Sequence, residues 1–238
     1  MDIQNFLSKK KYIGIIAAMS EEIASIKKLM EDISVKNIYE LEFTLGTIHS
    51  KNVVLVKCGV GKVNAARTTQ ILIDNFDLEY VINVGTAGGL NENIEIGDVV
   101  IAEKLVQHDF DITAGGHEKG YISDTGTYFY SDEELVAKSK KIIENMNEDF
   151  KAITGLIATG DVFVQDTSIK DGIKDEFDAD CTEMEGAAIA QVCVLDNIPF
   201  IVIRSISDKP NGNNNIDFEK FLELACERYS KFIDIFLN

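Results

Sequence analysis

Residues 181–187 read Cys-Thr-Glu-Met-Glu-Gly-Ala, and they join an extended segment to an Ala-rich helical one. Glu183 and Glu185 lie two residues apart, and in a strand residues i and i+2 point to the same face. Burying two unpaired carboxylates is costly, so the pattern predicts either basic partners within the protein or a ligand that carries hydroxyl groups. A solvated acidic strand end is the simpler interpretation of an isolated Glu-x-Glu pair, so the rest of the chain must decide.

Apolar runs on both sides of this stretch alternate with helical patterns. Residues 12–18 form a continuous apolar run, which is typical of a strand buried on both faces. Phe218–Leu237 carries the apolar stripe of a long helix. The alternation predicts a single three-layer α/β/α domain. Further strands are expected at 40–46, 53–58, 80–84, 99–103, 152–159, 181–184 and 200–205, and further helices from Glu21 and at 63–75, 131–145, 169–177 and 187–196, with 104–130 mostly loop.

Charge and composition exclude several classes of partner. The chain has 238 residues, 23 of them Lys or Arg and 40 Asp or Glu, so its net charge is −17. Nucleic acids and anionic membranes require a basic face, so neither is expected as a partner. No apolar run approaches the roughly 20 residues of a membrane helix. Residues 1–11 do not have the pattern of a signal peptide, and we interpret them as an N-terminal extension. We therefore expect a cytoplasmic protein.

The reactive side chains predict neither a metal site nor a cofactor. The four cysteines contain no Cys-x-x-Cys pair, which favours buried, reduced thiols. The three histidines show no zinc-ligand spacing, and His108-Asp109-Phe110-Asp111 is interpreted as a surface loop. Residues 59–62, Gly-Val-Gly-Lys, lack the full spacing of a phosphate loop, so we interpret them as a tight strand-to-helix turn rather than a nucleotide site.

In open α/β sheets, ligands bind outside the carboxyl ends of the strands. Several predicted strands end in groups suited to such a site, and the glycines of 85–89 would let the backbone approach a ligand closely. Glu22, Glu185 and Asp208 are each ordinary alone, but they should converge at this edge of the sheet. The segments expected to converge are 19–22, 86–89, 160–164, 183–185 and 205–208.

Five motifs in register resemble one known family. They are Ile-Ala-Ala-Met-Ser-Glu-Glu at 16–22, Gly-Val-Gly-Lys-Val-Asn-Ala at 59–65, Asn-Val-Gly-Thr-Ala-Gly-Gly at 83–89, Thr-Glu-Met-Glu-Gly-Ala-Ala at 182–188 and Arg-Ser-Ile-Ser-Asp at 204–208. Together they resemble the 5′-methylthioadenosine/S-adenosylhomocysteine nucleosidases, which have the purine nucleoside phosphorylase fold. The resemblance spans residues 12–238 and implies a three-layer α/β/α sandwich around a mixed β-sheet, a homodimer, and release of adenine by hydrolysis in methionine salvage.

The resemblance also implies the catalytic residues. Glu22 matches the residue that activates the attacking water, and Asp208 matches the acid that protonates the adenine ring. Arg204 and Ser207 match residues that position this acid. The chemistry requires such groups, because adenine leaves poorly as an anion and the ribose develops positive charge that carboxylates stabilise.

Substrate contacts follow from the same resemblance. Glu185 matches the residue that binds the ribose hydroxyls, and Glu183 on the same face shares that contact or is held by the backbone or Arg204. The other expected substrate contacts are Thr86, Ala87 and Gly88 along the cavity, Met184 beside the sugar, Phe163 stacked on adenine, Val164 reading the base through its backbone, and Met19, Ile112 and Phe218 lining the 5′-alkylthio pocket.

One position departs from the family and leaves the choice of 5′ substituent open. The family often places a bulky apolar residue near Gly115, where it reaches into the neighbouring subunit's pocket, but here Gly115-Gly116 removes that side chain. Three alternative functions also stay open. They are a phosphorylase of the same fold, a hydrolase of the related nucleoside aminodeoxyfutalosine, and a non-catalytic binding or storage protein. A phosphorylase would need arginines at its anion site, and the chain has three.

Overall fold

The computed structural model describes residues 10–146, 149–209 and 218–238, with side chains in the last helix described from Phe221 onward. Strands and helices alternate along most of this range. The strands are β1 (Tyr12–Ala17), β2 (Glu31–Ile38), β3 (Leu41–Ile48), β4 (Lys51–Lys57), β5 (Leu78–Gly89), β6 (Val99–Gln107), β7 (Phe129–Tyr130), β8 (Ala152–Thr159), β9 (Cys181–Glu183) and β10 (Phe200–Asp208). The α-helices are α1 (Ser20–Lys27), α2 (Lys62–Asn75), α3 (Glu133–Asn145), α4 (Thr167–Phe177), α5 (Gly186–Leu195) and α6 (Phe218–Leu237).

The strands form one mixed sheet. Strands β4, β1, β5 and β10 run parallel to one another in that order, while β2 and β3 extend the sheet in antiparallel pairing beyond β4. On the other side, β10 pairs with β6, β6 with β8, β8 with β9, and β9 returns to β5. Strands β5, β10, β6, β8 and β9 therefore close into a ring, whose carboxyl-end rim carries the site described below.

Helices cover both faces of the sheet, which confirms the three-layer prediction. Successive residues of β1 point to opposite faces. Ile16 packs in a core cluster with Leu72 of α2 and Ile189 of α5. Ile15 packs in a second cluster with Ile26 of α1, and Ile143 of α3 and Phe232 of α6 also belong to that cluster. The continuous apolar run of β1 thus reflects burial on both sides.

Some element boundaries differ from those expected. Helix α1 ends at Lys27, and β2 follows as an unpredicted strand whose side chains are mostly exposed, so it shows little of the apolar pattern of a buried strand. Residues 85–89 continue strand β5 rather than forming a loop. The helix expected from Ser131 begins at Glu133 instead, because the Asp132 side chain accepts from the backbone N–H of Leu135 and caps α3.

Two further findings concern the cysteines and possible membrane-spanning helices. All four cysteines are free and buried, as expected. Among the described residues, no helix is long and apolar enough to cross a membrane. Residues 1–9 of the expected N-terminal extension lie outside the described residues.

Candidate active site

A cavity of about 190 Å³ opens at the carboxyl ends of β1, β5, β9 and β10. Its walls bring together most of the residues predicted from the strand ends. Three predicted residues stand apart, because Ile112 and Arg204 do not line it and the Phe218 side chain lies outside the described residues. The lining residues are Ala18, Met19, Glu22, Val60, Asn83, Val84, Gly85, Thr86, Ala87, Gly88, Val162, Phe163, Val164, Thr182, Glu183, Met184, Glu185, Ser207 and Asp208.

A buried ion pair joins Arg204 to Glu183, which lines the cavity. The Arg204 side chain is 1% exposed and donates from Nε and Nη2 to Glu183 Oε2, with the Nε contact at 3.1 Å. Arg204 Nη2 also donates to Asn83 Oδ1 at 2.6 Å. Arg204 thus contacts Glu183 and Asn83 rather than Asp208. The structure therefore does not support the expected role of Arg204 in positioning that aspartate.

Glu183 has little capacity left for a ligand. Its Oε2 accepts from the backbone N–H groups of Glu185 and Gly186, at 3.0 and 2.8 Å, in addition to Arg204. Its Oε1 accepts from the Thr159 hydroxyl. Protein donors therefore occupy both oxygens of Glu183. Its side chain binds the backbone N–H at the start of helix α5 and the guanidinium group of Arg204. Of the two alternatives expected for Glu183, the structure shows the second, contact with the backbone and Arg204, and leaves little capacity for substrate hydroxyls.

Glu185 is also buried, but its carboxylate accepts fewer hydrogen bonds than that of Glu183. Its Oε1 accepts one backbone N–H, from Gly61 at 2.9 Å. Burial, followed by the neighbouring negative charge of Glu183, raises the pKa of Glu185 to about 7, against the opposing effects of Arg204 and the Gly61 N–H. A carboxylate in this position gains stability from any ligand hydroxyls that donate to it.

Glu22 lies in the first turn of α1, at the end of strand β1. Its Oε2 accepts from the backbone N–H groups of Ala18 and Met19, at 3.1 and 2.9 Å, which fixes its orientation. The side chain is almost fully buried, and this burial raises the pKa of Glu22 above its ordinary value, although both backbone bonds and Arg204 oppose the shift. A carboxylate with a raised pKa is suited to accept a proton near neutral pH.

Asp208 ends strand β10 and also lines the cavity. Its Oδ1 lies 2.9 Å from the Ser207 hydroxyl, and its Oδ2 lies 2.5 Å from Lys170 Nζ. A Cβ atom on Gly88 would lie 3.1 Å from Asp208 Oδ1, so glycine leaves room for the carboxyl group beside β5. The contact of Ser207 agrees with its expected role in positioning Asp208.

The turn at residues 59–62 is held over the cavity by a network of loop contacts. Lys62 Nζ donates to Asp109 Oδ1 at 2.6 Å and to Gln107 Oε1 at 3.1 Å, and the Lys62 N–H donates to Asp161 Oδ1 at 2.8 Å. Gly61 adopts a φ of 99°, a conformation that favours glycine and directs its N–H to Glu185. These contacts agree with a structural turn rather than a phosphate loop.

The mouth of the cavity is apolar. The Phe163 side chain is 71% exposed at this edge, and Val164 beside it is buried in a small cluster with Ile173 and Phe177 of α4. Such an exposed ring beside a buried, fixed backbone is suited to bind a flat aromatic group.

The sequence analysis missed Lys170, Asn83 and Thr159. Lys170 is a polar residue within a helix, and nothing in its local sequence indicates a site. Asn83 begins the motif at 83–89, so the family resemblance could have included it. Thr159 precedes Gly160 at the end of strand β8, so the strand-end argument could have included it.

The arrangement supplies acids and bases without a cation in the walls. Four carboxylates, from Glu22, Glu183, Glu185 and Asp208, border the cavity, and its described lining contains neither Lys nor Arg. Among the described residues, no cluster of three or more His, Cys, Asp or Glu side chains could hold a metal ion. The site is therefore suited to acid–base chemistry on a ligand that carries hydroxyl groups and a flat base.

Residues 12–238 match the family described as the phosphorylase superfamily. A 5′-methylthioadenosine/S-adenosylhomocysteine nucleosidase of Marinomonas sp. is 40% identical over 227 residues, covering 95% of this chain and 98% of the relative. The crystal structure of such a nucleosidase from Neisseria meningitidis, in complex with methylthio-immucillin-A, is similar with a TM-score of 0.89 at 34% identity, covering 95% and 98% of the two chains. The futalosine hydrolase of Helicobacter pylori is similar with a TM-score of 0.88 at 34% identity, covering 95% and 97%.

The raised pKa of Glu185 predicts a pH-dependent cost to stability. An unfolded glutamate titrates near 4.5, so deprotonation favours the unfolded state increasingly as pH rises from about 4.5 to about 7. Glu185→Gln removes this titration and keeps an oxygen for the Gly61 N–H. We expect urea unfolding to show a gain of roughly 3 kcal/mol at pH 8 and a gain of less than about 1 kcal/mol at pH 5.

Glu223→Gln, which alters an exposed glutamate of helix α6, is the matched control and should change stability little at either pH. An equal effect of Glu185→Gln at both pH values, or a loss of stability at pH 8, would contradict this account of the buried carboxylate.

Proposed function

The chain belongs to the 5′-methylthioadenosine/S-adenosylhomocysteine nucleosidases of the phosphorylase superfamily, and we propose from this premise that it hydrolyses the N-glycosidic bond of these two nucleosides. The products are adenine and a 5-thioribose sugar. The observation that carries the proposal is the cavity in which Glu22, Glu185 and Asp208 converge at the strand ends without a cation in the described walls.

The charge of the site supports hydrolysis rather than phosphorolysis. A phosphorylase must bind an anion beside the sugar, which requires available cationic donors. The ammonium and guanidinium groups around this cavity are instead held by protein acceptors. Arg204 pairs with Glu183, Lys62 with Asp109, and Lys170 with Asp208. The remaining arginines donate to backbone oxygens elsewhere, Arg67 to Tyr39 and Arg228 to Gly97.

Asp208 is proposed as the general acid. As the bond between the sugar and adenine breaks, its electron pair moves onto the purine ring, and the proton of the Asp208 carboxyl group moves to a ring nitrogen. Neutral adenine is a much better leaving group than its anion, so this transfer lowers the barrier. The Ser207 hydroxyl at 2.9 Å supports the orientation of the carboxyl group.

Glu22 and Glu185 are proposed to act on the sugar side. Backbone donors occupy Glu22 Oε2, so its other oxygen is assigned the proton of the water that attacks the sugar carbon. Glu185 accepts from the ribose hydroxyls, and its negative charge stabilises the positive charge that develops on the sugar. With acid and base at separate strand ends, the arrangement follows the logic of an inverting glycosidase.

The apolar walls are proposed to bind the base and the 5′ substituent. Phe163 stacks on adenine, the Val164 backbone reads its edge, and Met184 packs beside the sugar. Met19 borders the 5′ side of the cavity. Ile112 does not line the cavity of this chain, so it contributes to the 5′ pocket only if it does so across a dimer.

Homodimer formation is part of the proposal, and exposed apolar residues near the site support it. Val60 and Val63 flank the turn at the cavity and are 52% and 77% exposed, and Leu195 at the end of α5 is 59% exposed. Gly115 and Gly116 would then leave a partner's 5′ pocket more open. The pathway, methionine salvage, and the cytoplasmic location stay predictions.

Two other adenine nucleosides are also considered as substrates of the same hydrolysis. The similarity to a futalosine hydrolase favours aminodeoxyfutalosine as a second candidate substrate, because that nucleoside also carries adenine on a ribose. 5′-Deoxyadenosine lacks a large 5′ group and would test how much the 5′ pocket contributes.

A non-catalytic binding protein would be expected to lack the acids at positions 22 and 208, and this chain has both.

The assay that tests the proposal incubates the protein with methylthioadenosine in phosphate-free buffer and measures free adenine by chromatography. We expect adenine and methylthioribose, with no dependence on added phosphate. S-adenosylhomocysteine, 5′-deoxyadenosine and aminodeoxyfutalosine run in parallel would rank the substrates. Sugar 1-phosphate formed only with phosphate would make the protein a phosphorylase, and binding without turnover would make it a storage protein.

Asp208→Asn removes the proposed acid while keeping its shape. The Asn oxygen can still accept from Lys170, and the Asn nitrogen can donate to the Ser207 hydroxyl. Because general acid catalysis contributes about 10²–10⁴-fold, we expect kcat to fall by roughly 10³-fold with methylthioadenosine binding retained. Asp178→Asn, whose side chain is 90% exposed at the end of α4, is the control and should keep full activity. Full activity of Asp208→Asn would remove this residue from the acid role.

A further inference from the structure

Lys170 is a buried cation for which the reaction described above provides no role. Its side chain is 2% exposed, in the first turns of helix α4. Lysine is almost never buried to this extent without a partner, because its ammonium group loses its hydration. Lys170 Nζ has two acceptors, Asp208 Oδ2 at 2.5 Å and the carbonyl oxygen of Lys209 at 3.0 Å.

Helix α4 connects this lysine to the wall of the cavity that binds the base in the proposed function. Ile173 and Phe177 of α4 share a buried cluster with Val164, two residues before the Asp166 that caps the helix. Lys170 therefore ties the segment at residues 162–164 to the end of strand β10, where Asp208 lies.

The other charged and titratable groups around Asp208 leave Lys170 as its cationic partner among the described residues. Strand β5 presents Gly88, and β9 presents the buried thiol of Cys181. Lys209, next in the chain, extends its ammonium to Glu95. Glu22, Glu183 and Glu185 also line the cavity, and any negative charge on them opposes a charge on Asp208. The ammonium of Lys170 offsets this repulsion.

We propose that Lys170 is a positioning residue that orients the Asp208 carboxyl group. When Asp208 gives its proton to the purine ring it becomes a carboxylate, and the ammonium at Oδ2 stabilises that carboxylate as it forms. This inference rests on the proposed acid role of Asp208.

Lys170→Met tests the inference, because methionine fills a similar volume without a charge. We expect kcat for methylthioadenosine to fall about tenfold, because the carboxylate that forms on Asp208 loses its ammonium partner. KM should stay unchanged, because Lys170 does not line the cavity.

Lys174→Met is the matched control, one turn along the same helix, where Lys174 pairs with Asp178 at 2.5 Å away from the cavity. It should leave both kcat and KM unchanged, while Lys170→Arg should restore kcat because it returns a cation to Asp208. Lys170→Gln gives a second neutral side chain if the methionine variant folds poorly by circular dichroism.

The outcomes separate this inference from the proposed function. If the unchanged protein releases no adenine, the proposed function fails. If it does, and the neutral variants at position 170 keep the kcat of the unchanged protein, the inference about Lys170 is overturned. A loss of kcat that Lys170→Arg fails to restore would also overturn it, because a merely structural lysine would act in that way.

Discussion

The ion pair between Arg204 and Glu183 is the interaction on which the site depends. A guanidinium group that is 1% exposed requires acceptors on its donors, and it takes them from three strands, Glu183 on β9, Asn83 on β5 and the Ile203 carbonyl on β10. Removing one member would leave a buried, unpaired charge, which typically costs about 3–5 kcal/mol. The pair thereby holds together the ends of strands β5, β9 and β10, which border the cavity.

This pair also decides how the two neighbouring glutamates divide their roles. Arg204, Thr159 and two backbone N–H groups satisfy Glu183, so its charge is balanced within the protein. Glu185 is left with the Gly61 N–H and with Glu183 as a negative neighbour, which explains the raised pKa of Glu185. The protein thus keeps one carboxylate as a structural anchor and holds the other in an unfavourable environment that ligand hydroxyls can relieve.

The sequence predicts the parts of the fold that depend on burial patterns and much less of what depends on distant contacts. Strand β8 was predicted with its observed bounds because apolar residues predominate in it and Gly160 follows. Strand β2 was not, because it is held by backbone pairing to β3 with its side chains mostly exposed. The division between Glu183 and Glu185 needs Arg204 and Gly61, which lie 21 and 124 residues away in the chain. Lys170 reaches Asp208 across 38 residues, a pairing that no local pattern indicates.

The central claim is that one adenine nucleoside lies between Asp208 and Glu22 with its ribose on Glu185. A crystal structure of the protein with methylthio-immucillin-A, the ligand of the similar Neisseria structure, tests this most directly. The account predicts the purine ring over Phe163 with a ring nitrogen at hydrogen-bond distance from Asp208, and a ligand hydroxyl on Glu185. A ligand bound in this cavity with its base directed away from Asp208, or bound elsewhere on the protein, would contradict the account.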